Sequence, residues 1–159
     1  MRSFSFWSMW LLIVSIYIAV FGLVLAFFNQ SQLMDFIFNR QINPVFWPGA
    51  GIPEKAALFQ AWIYGVLGAT VLGWGILMAF LVYYPFKARE KWAWNSLAVS
   101  ITVWFIADTT ISSFYSATFN VVFNTILLLL VVVPLLFTRK YFYHTPKTLP
   151  DSQEGNKPA

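Results

Sequence analysis

The chain contains no cysteine, a single histidine and few charged residues. Without cysteine it forms no disulfide and offers no thiolate to zinc, to an iron–sulfur cluster or to a substrate. One histidine, His144, cannot supply the ligand pair of a bis-histidine haem or the histidine and glutamate set of a di-iron centre. The sequence therefore identifies no catalytic residue, no metal site and no cofactor, and it does not predict an enzyme.

The scarcity of charge is itself informative. Charged residues make up 10% of the chain and hydrophobic residues 59%, whereas soluble domains contain roughly 25% charged residues. Lys, Arg, Asp and Glu are missing from residues 3–34 and 56–86, and residues 92–138 contain one of them, Asp108. A soluble core of this size could not be covered with so few charges, so we predict a membrane protein.

The charge-free stretches set the number of membrane spans, because a helix needs ~20 apolar residues to cross a bilayer. The first two stretches each accommodate one span, and the third accommodates two. The sequence therefore predicts an all-α integral membrane protein, a four-transmembrane-helix bundle over residues 1–144 with a disordered cytoplasmic tail at residues 145–159. The predicted spans lie near residues 6–28, 59–84, 93–114 and 118–138.

The direction of the spans follows from lysine and arginine, which accumulate on the cytoplasmic side of a membrane. Eight of the ten basic residues fall on one side of a four-span topology, and Arg40 and Lys55 fall on the other. We therefore predict a membrane protein with both termini in the cytoplasm (N-in/C-in). The same bias explains the basic pI, so no nucleic-acid partner is predicted. Basic residues expected at lipid headgroups are Lys87, Arg89, Lys91, Arg139 and Lys140.

The predicted topology places the loop of residues 29–58 outside the cell. Residues 32–39 predict a short amphipathic turn on the membrane surface, and the two prolines and two glycines of residues 46–53 predict no regular helix. The loop is either a connector held down by its aromatic residues or a functional element. Trp10 and Trp94 stand near span ends, as is typical of the membrane interface.

Small side chains recur at regular spacing in the first two predicted spans. In lipid, helices associate largely through close backbone approach, so such stripes indicate packing surfaces. We predict that the two stripes pack against each other within the chain, and a dimer interface is the alternative. Gly68 and Gly75 lie on a neighbouring face of the second span. The stripes are Ala61, Gly65, Ala69 and Gly73 in the second span, and Ser15, Ala19, Gly22 and Ala26 in the first.

Asp108 is the one charged residue inside the predicted spans. An ionisable residue in a membrane is costly and marks a candidate functional site. Because the third and fourth spans run antiparallel, polar residues on both should meet at one depth. They form either a binding site for a proton, a cation or a ligand headgroup, or a hydrogen-bonded knot that joins two helices around a protonated Asp108. The predicted cluster comprises Asp108, Thr109, Ser112, Asn120 and Asn124.

Two stretches resemble a known group of proteins. One runs from Gln60-Ala61-Trp62 to Gly73-Trp74-Gly75, and the other from Lys87 to Trp94, followed by Trp104 and Asp108-Thr109. Together they resemble bacterial DoxX-like four-span inner-membrane proteins. The resemblance implies a compact four-helix bundle in a bacterial inner membrane, in some cases an accessory subunit of quinone-dependent electron transfer, and it implies no catalytic residues.

The sequence therefore favours an accessory or structural subunit of a membrane complex, or a helical bundle that binds a lipid or a quinone. The alternative is a transporter or channel component that uses Asp108 in a polar site near the outer face. The expected partners are the bilayer and a second membrane protein or another copy of the chain. An inverted repeat would favour the transporter hypothesis, and the two halves of the chain show no such similarity.

Overall fold

The computed structural model describes residues 2–143, which are helical except at short turns. Two π-helical turns, Asp35–Asn39 and Val82–Phe86, interrupt the regular helices. The predicted tail at residues 145–159 lies outside the described residues, as does His144. In chain order the helices are α1 (Arg2–Phe28), α2 (Gln32–Met34), α3 (Arg40–Phe46), α4 (Glu54–Leu81), α5 (Lys91–Phe114), α6 (Thr118–Thr138) and α7 (Lys140–Tyr143).

Four of these helices, α1, α4, α5 and α6, are long and apolar enough to cross a membrane. The prediction of an all-helical protein with four candidate spans is therefore confirmed for the described residues. The helices coincide with the predicted spans to within a few residues at most ends. The largest difference is in α4, which begins at Glu54 rather than near residue 59.

The connection between α1 and α4 is more helical than predicted. Instead of a short turn at residues 32–39, a helical segment continues to Phe46 through α2, the first π turn and α3. It ends where Trp47 precedes Pro48, because the residue before a proline is disfavoured in a helix. The segment after it is irregular, as predicted, and Gly49 and Gly51 adopt φ angles of 79° and 68°, which glycine accepts without steric cost.

The long helices are not packed equally. α1 makes its most extensive contacts with α4, and α6 packs against both α1 and α5. Close backbone approach between α4 and α5 is slight, although the π turn after α4 touches α5. We call the end of the helices that carries Lys87 and Arg139 the basic end, and the opposite end, where α2 and α3 lie, the loop end. The helices α4 and α5 are thus joined at the basic end and separate toward the loop end.

Glycine brings α1 and α4 into backbone contact. A Cβ atom added to Gly68 would lie 2.3 Å from the backbone nitrogen of Ala26, and one added to Gly75 would lie 2.4 Å from that of Ala19. From the other side, a Cβ on Gly22 would lie 2.3 Å from the backbone nitrogen of Leu72. These separations are too short for any side chain, so the three glycines are required for this close approach.

The predicted stripe of α4 is therefore partly wrong. A Cβ atom added to Gly73 would meet no atom of a neighbouring element within 4 Å, and both Gly73 and Ala69 are exposed. A four-residue spacing drifts by about 40° around an α-helix at each step, whereas a seven-residue spacing drifts by only about 20°. The contacting face of α4 consequently follows the seven-residue series Ala61, Gly68 and Gly75.

The predicted stripe of α1 lies closer to the observed interface. Ala19, Gly22 and Ala26 all contact α4 at the positions described above. Ser15 is fully buried, and its hydroxyl donates a hydrogen bond of 2.7 Å to the carbonyl of Leu11 in its own helix. Gly65 approaches the carbonyl oxygen of Ala26 only at ordinary van der Waals distance, 3.6 Å from its Cβ position.

Two tryptophans attach α6 to its neighbours. Pro134 lies inside α6 and lacks the N–H group that would bond to the carbonyl of Leu130. The indole Nε1 of Trp10 on α1 donates to that carbonyl at 3.0 Å. The indole Nε1 of Trp94 on α5 donates at 2.9 Å to the carbonyl of Leu135. In an apolar environment an unpaired carbonyl is costly, so the Trp10 bond compensates for the proline.

Candidate intramembrane binding site

A cavity of about 360 Å³ lies among the four long helices. Its lining comes from α1, α4, α5 and α6, and one residue, Phe38, comes from the π turn between α2 and α3. The surface is mostly apolar, and its size is at the lower end of the ~300–1,000 Å³ of typical ligand sites. The cavity occupies the side on which α4 and α5 separate.

Phenylalanine rings close the cavity toward the loop end. The ring of Phe38 lies 5.6 Å from that of Phe21 on α1 and 5.6 Å from that of Phe123 on α6. It also meets the ring of Phe119 edge-on at 5.3 Å. The connection between α1 and α4 therefore does more than link two spans, because one of its side chains forms part of the cavity wall.

Between α4 and α5 the wall of the cavity consists of side chains alone. The rings of Trp74 and Trp104 lie 5.7 Å apart across this gap. Thr70 on α4 and Ser100 on α5 line the cavity and are nevertheless exposed. The cavity is thus open on this side, in the direction that lipid would occupy around a membrane-spanning protein.

The polar end of the cavity is assembled by a tight turn between α5 and α6. Asp108 and Ser112 are four residues apart on α5, and Asn120 and Asn124 are four apart on α6, so each pair shares one helix face. The turn places Ser116 at a φ of 58°, in the left-handed region. This reversal makes the two helices antiparallel and brings the two polar pairs to the same level.

The carboxylate of Asp108 is the centre of the polar cluster. Its Oδ1 accepts hydrogen bonds from the Ser112 hydroxyl at 3.0 Å, from Asn120 Nδ2 at 2.7 Å and from Asn124 Nδ2 at 3.0 Å. Asn120 Nδ2 also lies 2.7 Å from the Ser112 hydroxyl, and Asn124 Nδ2 lies 3.4 Å from the Thr109 hydroxyl. The structure therefore brings together all five residues that the sequence nominated.

These five residues do not face the cavity equally. Asp108, Asn120 and Asn124 line it, whereas Ser112 is buried behind them at 6% exposure. All three donors bond to Oδ1 of Asp108, and no described residue donates a hydrogen bond to Oδ2. The cluster joins α5 to α6 through hydrogen bonds to one carboxylate oxygen, and the other oxygen accepts none from the described residues.

The basic residues expected at lipid headgroups are exposed and lie over aromatic rings. Lys87 Nζ is 4.2 Å from the ring centre of Tyr83, and Arg89 Cζ is 5.0 Å from that of Phe4. Such contacts hold the charged groups at the rim of the apolar helices, where headgroups would be; the headgroup role itself remains a prediction. Lys91 and Arg139 lie over Tyr143, and Lys140 lies over Tyr141.

A second, polar depression lies at the loop end between the helical connection and α4. Gln60 Nε2 donates to Asn43 Oδ1 at 2.7 Å, and Asn29 Nδ2 donates to the carbonyls of Leu25 and Ala61 at 3.0 and 3.1 Å. These polar groups are bonded to one another or to backbone. These bonds attach the connection to the helices, and one buried acceptor in the depression, Oδ1 of Asn39, has no hydrogen-bond partner among the described residues.

The sequence nominated the polar end of the cavity and missed its aromatic walls. A usable signal existed in α5, where Ser100, Trp104 and Asp108 recur every four residues and all line the cavity. Residues four apart on a helix lie close together on its surface, and Asp108 is the one charged residue of α5 after Lys91. The contribution of Phe38 had no comparable signal, because it depends on how the connection folds back over the helices.

Comparison of the chain with family models, with curated protein sequences and with solved structures finds no match. The site is therefore interpreted from its own geometry.

Proposed function

We propose that this chain is an inner-membrane protein whose central cavity binds one lipid-like amphiphile. The observation that carries the proposal is the shape of the cavity: it is mostly apolar, and its charged and amide side chains, Asp108, Asn120 and Asn124, lie together at one end. The hydroxyls of Thr70 and Ser100, which also line it, donate to carbonyls of their own helices. Such a site fits a molecule with an apolar body and a small polar head. The apolar part would lie between Trp74 and Leu127, and the head would contact Asp108.

The gap between α4 and α5 supports entry from the bilayer. Because only side chains such as Trp74 and Trp104 separate the cavity from the surroundings there, a membrane-dissolved molecule could enter without crossing water. Binding of a lipid or a quinol would use this route. The resemblance to DoxX-like proteins remains a prediction from the sequence, and it agrees with a membrane-soluble ligand of this kind.

Purification in native membrane discs, followed by mass spectrometry of extracted small molecules, tests the proposal. Ser100→Trp fills the cavity from α5, whereas Thr102→Trp adds the same bulk on the same helix at a residue that does not line it. The expected result is a stoichiometric amphiphile in the wild type and in Thr102→Trp, and its loss in Ser100→Trp. Equal recovery from all three proteins would contradict the proposal.

The proposed orientation places the basic end and both termini in the cytoplasm, as the distribution of lysine and arginine favours. The chain has no cysteine, so single-cysteine variants report without background. A cysteine at Ala50 should react with a membrane-impermeant thiol reagent added to intact cells, and a cysteine at Ala88 should not. The reverse labelling pattern would reverse the orientation.

A second candidate function is that of a transporter or channel component, and the observation that favours it is Asp108, the one charged side chain among the described residues that line the cavity. An Asp108→Asn variant should then fold normally and lose transport. An accessory subunit is the third possibility, and a protein recovered in stoichiometric amount from the same native discs would favour it.

A further inference from the structure

We infer that the head of the bound amphiphile is a protonated amine. This inference rests on the proposed function, and it narrows the ligand from a general amphiphile to a hydrophobic cation. Three features of the cavity carry it: the carboxyl group of Asp108, which has no basic partner, the pattern of its hydrogen bonds and the aromatic composition of the walls.

The charge of Asp108 has no basic partner in the cavity. Among the described residues that line it, Asp108 is the one charged side chain. Among the side chains that the structure describes, Arg40 and Asp35 form an ion pair on the exposed connection, and no ion pair includes Asp108. A carboxylate inside a membrane requires a proton or an opposite charge to persist. An ammonium group entering the cavity supplies that charge.

The hydrogen bonds of Asp108 favour a ligand whose head group donates a hydrogen bond. Oδ1 already accepts from Ser112, Asn120 and Asn124, so the Nδ2 atoms of both asparagines are engaged in those bonds. The other carboxylate oxygen, Oδ2, accepts no hydrogen bond from a described residue, and it is an acceptor when Asp108 is ionised. An ammonium N–H donates to it, whereas a ketone, a quinone or a second carboxylate presents another acceptor.

The walls of the cavity suit a cation rather than an anion. Six aromatic side chains line it, and the face of an aromatic ring attracts positive charge. Trp74 and Trp104 stand on the open side, so a cation entering from the bilayer would meet indole rings before it reached Asp108. The six are Tyr17, Phe21, Phe38, Trp74, Trp104 and Phe123.

Four ten-carbon probes that differ in their head group test this inference. The purified protein would be titrated near pH 7 with decylamine, decan-1-ol, decan-2-one and decanoate, and apparent dissociation constants would be derived from the shift in Tm. Decylamine is protonated at this pH because alkyl ammonium groups, like that of lysine, lose a proton only near a pKa of ~10.4. We expect it to bind about tenfold or more tightly than decanol, and decanoate to bind weakest.

Matched variants assign the effect to the cavity and to the carboxylate. Asp108→Asn keeps an acceptor for Ser112 and the two asparagines, and it should reduce the preference for the amine to less than about threefold. Ser100→Trp should abolish binding of all the probes, and Thr102→Trp should leave it unchanged. The comparison of heads in the wild type is decisive even if Asp108→Asn does not fold.

The outcomes separate the two proposals. Equal or tighter binding of decanol or decan-2-one would show that the head is neutral, overturning the amine while leaving the amphiphile site intact. Amine binding that persists in Ser100→Trp would place the interaction outside the cavity and would also overturn the inference. Failure of all four probes to bind the wild type would contradict the amphiphile site itself.

Discussion

The two sides of α4 are built in opposite ways. On one side Gly68 and Gly75 lie against the backbone of α1, so closely that even a methyl group would not fit. On the other side Trp74, the neighbour of Gly75 in sequence, reaches across a gap to Trp104 on α5 and borders a cavity. Residue size thus decides where two helices meet and where they stay apart, because in lipid there is little solvent-driven force to close a gap.

The same contrast separates a rigid interface from an adaptable one. Contact between two backbones leaves no side chain that could change its rotamer to absorb added volume. A gap bordered by tryptophan side chains can be widened or narrowed by rotation about χ angles. We therefore expect the α1–α4 interface to determine stability and the α4–α5 side to determine ligand entry.

Added bulk at the α1–α4 interface should produce the largest effect. Gly68→Leu should destabilise the protein by about 3 kcal/mol or more, because the new side chain would overlap the backbone of α1. Gly73→Leu is the matched control on the same helix, since its Cβ position meets no atom within 4 Å. Thermal unfolding of both variants in detergent measures the difference.

One outcome would contradict the assignment of the packing face of α4 to Gly68. If Gly73→Leu lowered Tm as much as Gly68→Leu did, the four-residue stripe rather than the seven-residue series would be the packing face. A loss confined to Gly73→Leu would point to a contact between two copies of the chain through that stripe.

Removal of the polar cluster should have an intermediate effect. Asp108→Leu leaves Asn120 and Asn124 without the acceptor that they now share, which should cost about 1–3 kcal/mol. Asp108→Asn preserves an acceptor and should change the free energy of unfolding much less. Chemical or thermal unfolding in detergent checks both variants. A leucine variant as stable as the wild type would show that the cluster does not join α5 to α6.

The smallest effect is expected at the contact between α1 and α6. Trp10→Phe removes the donor to the Leu130 carbonyl and should cost about 0.5–1.5 kcal/mol. Pro134→Ala restores the backbone N–H that can bond to the same carbonyl, so the cost of Trp10→Phe should be smaller in that background. A double-mutant cycle of unfolding free energies measures the coupling.

Trp62→Phe is the control for the loss of an indole group. Trp62→Phe alters an indole that makes no hydrogen bond to another described residue and is 62% exposed, so it should leave stability nearly unchanged. If Trp10→Phe lowered the free energy of unfolding equally in the wild type and in the Pro134→Ala background, the indole would not compensate for the proline.

The spans were predictable because they depend on properties that sequence displays directly. Charge-free length and hydropathy located α1, α4, α5 and α6, and the spacing of Asp108, Ser112, Asn120 and Asn124 located the polar cluster once two antiparallel helices were assumed. The face of α4 was harder, since several small residues lie on adjacent faces of one helix. The choice between Gly68 and Gly73 depends on the crossing of α1, which the sequence of α4 does not contain.

The sequence by itself determined four apolar helices, the asymmetry of basic charge and the presence of one carboxylate among hydroxyl and amide side chains. These follow from composition and helical period, which are local properties of the chain. The tertiary structure decided that α4 closes on α1 through Gly68 and Gly75, that Trp10 compensates for Pro134, and that Phe38 covers the cavity. Each of these depends on residues far apart in sequence whose fit is fixed only when backbones approach within van der Waals contact.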